Sequence, residues 1–175
     1  QSMGQLQFLG DINNSLKEVS AAESIPQSNL IWTIQDSGND SELLGLNDKG
    51  EIIKTITIDN VSNIDWEDLT SDQDGNLYIG DFGNNNKKRK IFRILKINVK
   101  DLNNTNATAD IIEFTLPKKQ SSKDFEGFFL LNDSFYIFSK ETKKFFVIKV
   151  PNTAGRHEAI MHSDFNLDGK DNKIT

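Results

Sequence analysis

The chain has 175 residues, of which 36% are hydrophobic and 26% are charged, and a formal net charge of -6. This length is typical of about one domain with a hydrophobic core of its own. The acidic balance disfavours nucleic acid as a partner, because such binding needs a concentrated basic patch. The sequence contains no cysteine, which excludes disulfides, thiolate metal sites and cysteine nucleophiles. No apolar stretch approaches the roughly 20 residues of a membrane-spanning helix.

The first residues, Gln1-Ser2-Met3-Gly4, are typical of a cleaved expression tag. We assign residues 1–3 to the tag and expect a single domain over residues 4–175. A signal peptide upstream of this start would have been removed with the tag in place, and we expect a secreted, periplasmic or cell-surface protein.

Most of the chain has a period near two in its apolar residues, which is typical of half-buried strands. Strands are predicted in chain order at residues 6–9, 30–34, 52–58, 77–79, 91–97, 111–116, 135–138 and 145–150. Turns rich in Gly, Asn and Asp lie between them, at residues 47–50, 72–76 and 131–135. The sequence allows one helix, a turn or two over residues 14–22.

A five-residue pattern with Glu third and an apolar residue fifth recurs at residues 21–25, 65–69 and 124–128. Each copy precedes a short strand with an aromatic residue. Since large aromatic side chains fill the core between packed sheets, we expect five of them to be buried: Trp32, Trp66, Tyr78, Phe125 and Tyr136. The intervals between copies resemble the repeat of a four-stranded propeller blade, about 40 to 50 residues, with loop insertions.

The repeat predicts an all-β fold, a β-propeller-like array of antiparallel four-stranded blades at about residues 21–58, 66–116 and 125–161. Closed propellers have about 4 to 8 blades. Because three blades leave two apolar faces exposed to water, we expect either self-association or further blades in a longer protein.

Residues 65–69, 77–85 and 124–127 resemble a group of secreted bacterial β-propeller proteins, largely uncharacterised, which are similar to the SdiA-regulated and esterase-like phytase propellers. The likeness covers about residues 29–150. It implies a fold more specifically than a function, because the relatives include hydrolases, binding proteins and proteins of no known activity.

Carboxylates accompany the repeated pattern and are the candidate ligand-binding residues: Glu23, Asp65, Glu67, Asp81, Asp124 and Glu126. Asp65 and Glu67 are spaced i,i+2 and so share one face of a strand, and the acidic pair at 124 and 126 does the same. We expect the three glutamates to line the mouth of a channel, where Ca²⁺ would offset their repulsion. The alternative is that each glutamate only caps backbone N–H groups of its neighbouring blade.

Two of the strands end in the same turn, Asp-x-Gly-Asn, at residues 36–39 and 81–84. Asp and Asn bond to nearby backbone N–H groups and tolerate left-handed conformations, which explains the turn without a ligand. If this end of the strands holds a site, its oxygen donors are Asp36, Asn39, Asp81 and Asn84.

A second metal site is predicted where Asp164, Asn166 and Asp168 match the opening of a calcium loop, Asp-x-Asn-x-Asp-Gly. The match ends at Thr175, which stands where the loop needs a bidentate Glu or Asp. A chance match in a chain rich in Asp, Asn and Gly is the alternative.

Signatures of nucleophilic catalysis are absent from the sequence, which has no Gly-x-Ser-x-Gly elbow. We therefore expect a ligand- or protein-binding module rather than an enzyme, with a small molecule or a protein as partner. The alternative is a calcium-dependent hydrolase, similar to phytases or phosphotriesterases, in which the carboxylates at the channel mouth hold the ion.

Overall fold

The computed structural model describes residues 19–141 and 144–166. For residues 140, 141, 144 and 164–166 it describes the backbone alone. The first seven strands are β1 (Val19–Ser24), β2 (Ile31–Gln35), β3 (Glu42–Leu46), β4 (Ile52–Ile58), β5 (Trp66–Ser71), β6 (Leu77–Asp81) and β7 (Phe92–Ile97). A 3-10 helix (Val99–Asn103) precedes the other seven, β8 (Asn106–Ala107), β9 (Asp110–Thr115), β10 (Gly127–Leu131), β11 (Ser134–Glu141), β12 (Lys144–Pro151), β13 (Gly155–Glu158) and β14 (Ile160–Asn166).

These strands form three sheets, with the orders β1-β2-β3-β4-β8, β5-β6-β7-β9-β13 and β10-β11-β12-β14. Four strands of each sheet pair antiparallel, because short connections join strands that follow one another. The all-β prediction, with mostly antiparallel sheets of four strands or slightly more, is confirmed. The predicted helix is wrong at residues 19–22, which belong to β1; residues 14–18, the tag at 1–3 and the strand at 6–9 lie outside the described residues.

Two short strands join neighbouring sheets. β8 lies between β7 and β9 in the sequence but pairs in parallel with β4 of the first sheet. β13 lies between β12 and β14 and pairs in parallel with β9 of the second sheet. The second and third sheets therefore each lend an edge strand to the sheet before them, which covers an otherwise unpaired edge.

The hydrophobic core is divided by the middle sheet. One cluster, which includes Trp32, Trp66 and Ile79, fills the space between the first and second sheets. The other, which includes Tyr78 and Phe125, lies between the second and third sheets. Since side chains alternate along a strand, β6 sends Ile79 to one cluster and Tyr78 to the other, and all its residues are buried.

Most of the repeated aromatic residues lie in these clusters. Trp32, Trp66, Tyr78 and Phe125 are buried. Tyr136 is not, because β11 turns Phe135 inward and leaves its neighbour on the outer face, where the rings of Tyr136 and Phe129 stack at 5.2 Å. Within the described residues, no helix has the length and apolar character to cross a membrane.

Replacing Trp66 by Ala is expected to lower the free energy of unfolding by about 3 to 5 kcal/mol, because a fully buried aromatic side chain leaves a cavity. Denaturant unfolding followed by circular dichroism measures the change. Tyr136→Ala is the control, and its effect should be clearly smaller because that ring is half-exposed. Equal losses for the two variants would contradict this placement of Trp66.

Candidate functional site

Three carboxylates meet where the first and second sheets adjoin. Asp36 follows β2, Asp65 precedes β5, and Glu67 lies in β5. One oxygen from each lies within 4.8 Å of the other two, and all three residues are half-buried. We call Asp36, Asp65 and Glu67 the carboxylate cluster.

Asn63 connects the first and second sheets beside the carboxylate cluster. Its side-chain amide donates hydrogen bonds to the backbone oxygens of Gln35 and Asp36, at 3.0 and 3.1 Å. Its side-chain oxygen accepts a hydrogen bond of 3.2 Å from the backbone N–H of Trp66. The end of β2 is thereby fixed to the start of β5. Sequence reasoning did not single out Asn63, because nothing in its local pattern signals a long-range contact.

A β-bulge sets the direction of Glu67. Trp66 pairs with Asp81 and Asp68 pairs with Gly80, so that Glu67 is the extra residue of β5. A bulge bends the strand and redirects its side chains, and such bulges are common beside functional sites. Asp65 and Glu67 nevertheless lie close together, since both side chains adjoin Gly83.

Gly83 makes room for these carboxylates. A Cβ atom at this position would lie 2.3 Å from Cγ of Asp65 and 2.4 Å from Oε1 of Glu67. Its φ angle is not positive, whereas Gly38 in the related turn has a φ of 82°. The two Asp-x-Gly-Asn turns therefore need glycine for different reasons, Gly38 for its backbone conformation and Gly83 for the close approach of side chains.

The clustering raises the pKa of two members. Burial, the hydrogen bond and charge of Asp36, and the charge of Asp124 together raise the pKa of Asp65 to about 6, although Arg89 opposes them. Burial first, and then the charges of Asp65, Asp36 and Asp124, raise the pKa of Glu67 to about 7. Both groups therefore gain protons close to neutral pH, or need a positive charge to remain ionised.

Asp124 stands beside the cluster as a further negative charge. Its carboxylate accepts a hydrogen bond of 2.7 Å from the backbone N–H of Asn84. The Asn84 side chain in turn donates to Oγ of Ser122 and to the backbone oxygen of Lys123, at 2.7 and 2.8 Å. Asn84 is thus a structural link between two loops.

Asp81, another predicted ligand-binding residue, is fully buried and forms ion pairs instead. It accepts a 2.9 Å hydrogen bond from Nη1 of Arg89 and bonds from Nε and Nη2 of Arg93. It also accepts a bond of 3.2 Å from the backbone N–H of Asp65. Its role is to position the cluster and the loop that carries Arg89.

Glu23 and Glu126 are not members of the carboxylate cluster. The β-bulge of β1 lies at Ser20, whereas that of β5 lies at Glu67. Ser20 is therefore the residue equivalent to Glu67. Glu23 lies three residues after Ser20. There Glu23 accepts a bond of 3.4 Å from the hydroxyl of Ser71, and burial raises its pKa. Glu126 is exposed just before β10.

The predicted calcium loop begins in a strand. Asp164 and Asn166 lie in β14 and pair with Phe146 and Lys144 of β12. Their side chains and the whole of Asp168 lie outside the described residues. This second metal site stays a prediction.

An open groove of about 580 Å³ adjoins the carboxylate cluster at Asp65, the one cluster member that lines it. Asp65 and Gly83 line it together with Asn84, Asn85, Asn86, Lys88 and Arg89. Two apolar side chains, Ile64 and Ile91, also line it and are 50% and 51% exposed. The groove therefore offers a ligand polar, cationic and apolar contacts next to the carboxylates.

No protein-family model matches the sequence, and no curated protein is similar to it. Among solved structures, the chain is similar to hydrazine synthase of Kuenenia stuttgartiensis, with a TM-score of 0.52, 9% identity and coverage of 85% of this chain and 37% of that one. It is also similar to the computationally designed Ika4 protein, with a TM-score of 0.43, 9% identity and coverage of 88% and 79%. At this identity the likeness to hydrazine synthase concerns the fold alone, and the chain spans little more than a third of that protein.

Glu67→Gln is expected to stabilise the metal-free protein at neutral pH. The folded-state pKa of about 7 is above the ordinary 4.5, so the stabilisation from Glu67 is complete below about pH 4.5 and is lost as the pH rises to about 7. The free energy of unfolding of the variant should exceed that of the unaltered protein by an amount that grows over this pH range and is constant above it. Urea unfolding with a chelator present measures it.

Glu158→Gln is the matched control, because Glu158 is exposed at the end of β13. Its stability should follow that of the unaltered protein at every pH. If the free energies of unfolding of Glu67→Gln and the unaltered protein differ by the same amount at every pH, the pKa of Glu67 is not raised on folding, and this description of the cluster is contradicted.

Proposed function

We propose that this protein is a binding module and that its carboxylate cluster binds a divalent cation, with Ca²⁺ as the favoured ion. The observation that carries the proposal is the convergence of Asp36 with Asp65 and Glu67, from two chain segments, beside an open groove that Asp65 lines. The ligand is a small molecule or a protein segment with oxygen atoms that complete the coordination of the ion.

The donor set favours a hard cation. The cluster offers carboxylate oxygens without nitrogen or sulfur, which suits Ca²⁺ with its six to eight oxygen ligands. Asp124 adds negative charge nearby, and Arg89 compensates only in part, since the pKa values of Asp65 and Glu67 remain raised. A bound cation would remove this repulsion and leave positions toward the groove for water or ligand.

A β-propeller architecture is the form of the fold that we propose. It is supported by consecutive sheets of similar topology and by the edge strand that a sheet lends to the one before it. The exposed large apolar residues within strands lie on the first sheet (Val19, Ile31, Ile53) and on the third (Phe129, Leu131, Ile160). The outer faces of these two sheets therefore expose apolar side chains, which further blades or a second copy of the chain would cover.

A secreted, periplasmic or cell-surface location fits this proposal. Calcium sites of extracellular modules are often weak, with dissociation constants of about 0.1 to 1 mM. An ion held by three carboxylates, with its other coordination positions open to water, is expected to have a dissociation constant in this range rather than in the lower range of intracellular calcium sensors.

A calcium-dependent hydrolase is the second candidate, favoured by the pKa of Glu67. A general base works best with a pKa near the operating pH, and that of Glu67 is about 7. In this version Asp36 and Asp65 would hold the ion, which would supply Lewis-acid polarisation of a substrate oxygen, and Glu67 would accept a proton from water. Turnover of an ester substrate that is lost in Glu67→Gln would favour the hydrolase over the binding module.

Calcium is expected to raise the melting temperature of the protein, because an ion that binds only the folded state stabilises it, by about 2.7 kcal/mol at a hundredfold excess over its dissociation constant. Glu67→Gln and Asp65→Asn should each remove most of the shift. Calorimetric melting curves with Ca²⁺ and with a chelator give the result.

Two controls locate the ion. Glu158→Gln changes the same charge on an exposed strand and should keep the full shift. Asp168→Asn tests the second predicted metal site. A shift that survives Glu67→Gln and disappears in Asp168→Asn would assign the ion to that loop and contradict the cluster.

The chain is expected to self-associate when it is studied alone, because the outer faces of the first and third sheets are apolar. A stable contact of this kind buries more than about 2,000 Å² in total. Sedimentation equilibrium on the 175-residue chain measures the mass. Phe129→Lys, on the outer face of the third sheet, should shift the equilibrium toward monomer, whereas a stable monomer before any substitution would contradict the open-faced architecture.

A further inference from the structure

A second groove is rich in basic residues and shares Lys88 and Arg89 with the first groove. Its first wall is the basic run Lys87, Lys88, Arg89 and Lys90. Its second wall is formed by Thr115, Leu116, Gln120 and Ser122. The volume is about 550 Å³, and no carboxylate is among these lining residues. We call it the basic groove; sequence analysis gives it no role.

The two walls are held together by hydrogen bonds. The hydroxyl of Ser122 donates to the backbone oxygen of Arg89 at 2.5 Å. Asn84 bonds to both walls, since its side-chain oxygen accepts from the backbone N–H of Arg89 at 2.9 Å and its amide donates to Ser122 at 2.7 Å. The groove is therefore built into the fold, which distinguishes it from lysines scattered over a surface.

Arg89, which lines the basic groove, shares the buried carboxylate of Asp81 with Arg93, so that two guanidinium groups face this one carboxylate. Its guanidinium also lies over the ring of Phe92, 5.6 Å from the centroid. Nη2 of Arg89 is buried and has no hydrogen-bond acceptor among the described residues. A buried donor without an acceptor is uncommon in folded proteins.

Two lysines hold unusual backbone conformations in the loops that form the walls. Lys87 has a φ of 54° and Lys119, beside Gln120, a φ of 70°. The other non-glycine residues with positive φ in the described chain are Asn132 and Asp133, whose side chains suit it. Strained residues of this kind occur preferentially at ligand-binding sites.

We propose that the basic groove binds a small polyanion that carries at least two phosphate or sulfate groups. Arginine and lysine are the side chains that recognise such oxyanions. The volume is within the range of small-molecule sites, about 300 to 1,000 Å³. The net charge of -6 disfavours a long polyanion such as a nucleic acid. No member of the carboxylate cluster lines this groove, although Lys88 and Arg89 line both grooves.

Isothermal titration calorimetry with inorganic tripolyphosphate and with sucrose octasulfate tests the proposal. One molecule of at least one probe should bind per chain, and affinity should fall as the salt concentration rises. The tighter probe identifies the preferred oxyanion. Binding of neither probe would overturn the proposal, as would a short single-stranded oligonucleotide that binds as tightly as the better probe.

Variants place the bound probe in the groove. The double variant Lys88→Ala, Lys90→Ala should bind at least about tenfold more weakly, because two phosphate-binding charges are lost. Lys49→Ala, Lys100→Ala removes the same charge from exposed positions elsewhere and should bind almost normally.

A charge added to the second wall gives an independent test. Thr115→Glu places a carboxylate opposite the lysines and should weaken binding by a similar factor, whereas Thr57→Glu, at an exposed position of β4, should not. Circular dichroism confirms that each variant is folded. Equal weakening by the groove variants and their controls would mean non-specific attraction and would overturn the proposal.

Discussion

The buried carboxylate of Asp81 supports the whole polar region of this protein. It pairs with Arg89 and Arg93 and accepts the backbone N–H of Asp65, so it joins β6, β7, the loop after β6 and the start of β5. Loss of one partner from a buried ion pair costs about 3 to 5 kcal/mol, since an unpaired charge remains. Arg89 lines both grooves, so this ion pair fixes a residue that the two grooves share.

The sequence was sufficient to predict three mostly antiparallel sheets, but not every strand in them or the contacts between them. Alternating apolar residues and turns such as residues 47–50 predict strands locally, and Trp66 or Phe125 marks where neighbouring sheets pack. The strands β8 and β13 were missed because they are short and pair with sheets that lie far away in the sequence. Tyr136 was misplaced because two adjacent aromatic residues leave open which of them faces inward.

The candidate site was predicted in part. The i,i+2 spacing of Asp65 and Glu67 indicated that both act together, and Asp36 was a conditional oxygen donor. The repeated pattern predicts that Glu23 is equivalent to Glu67, which is wrong. The β-bulge of β1 lies at Ser20 and that of β5 at Glu67, so the two strands align differently from the repeat. Composition does not reveal where a bulge lies. Asn63 and Gly83 matter only through contacts made across the fold.

A crystal structure of the protein grown with Ca²⁺ tests the central claim most directly, because the ion and its ligands are then seen together. The account predicts one ion bound by oxygens of Asp36, Asp65 and Glu67 at about 2.3 to 2.6 Å, with the remaining ligands on the groove side. A structure at saturating Ca²⁺ in which these carboxyl groups share protons and hold no ion would contradict it.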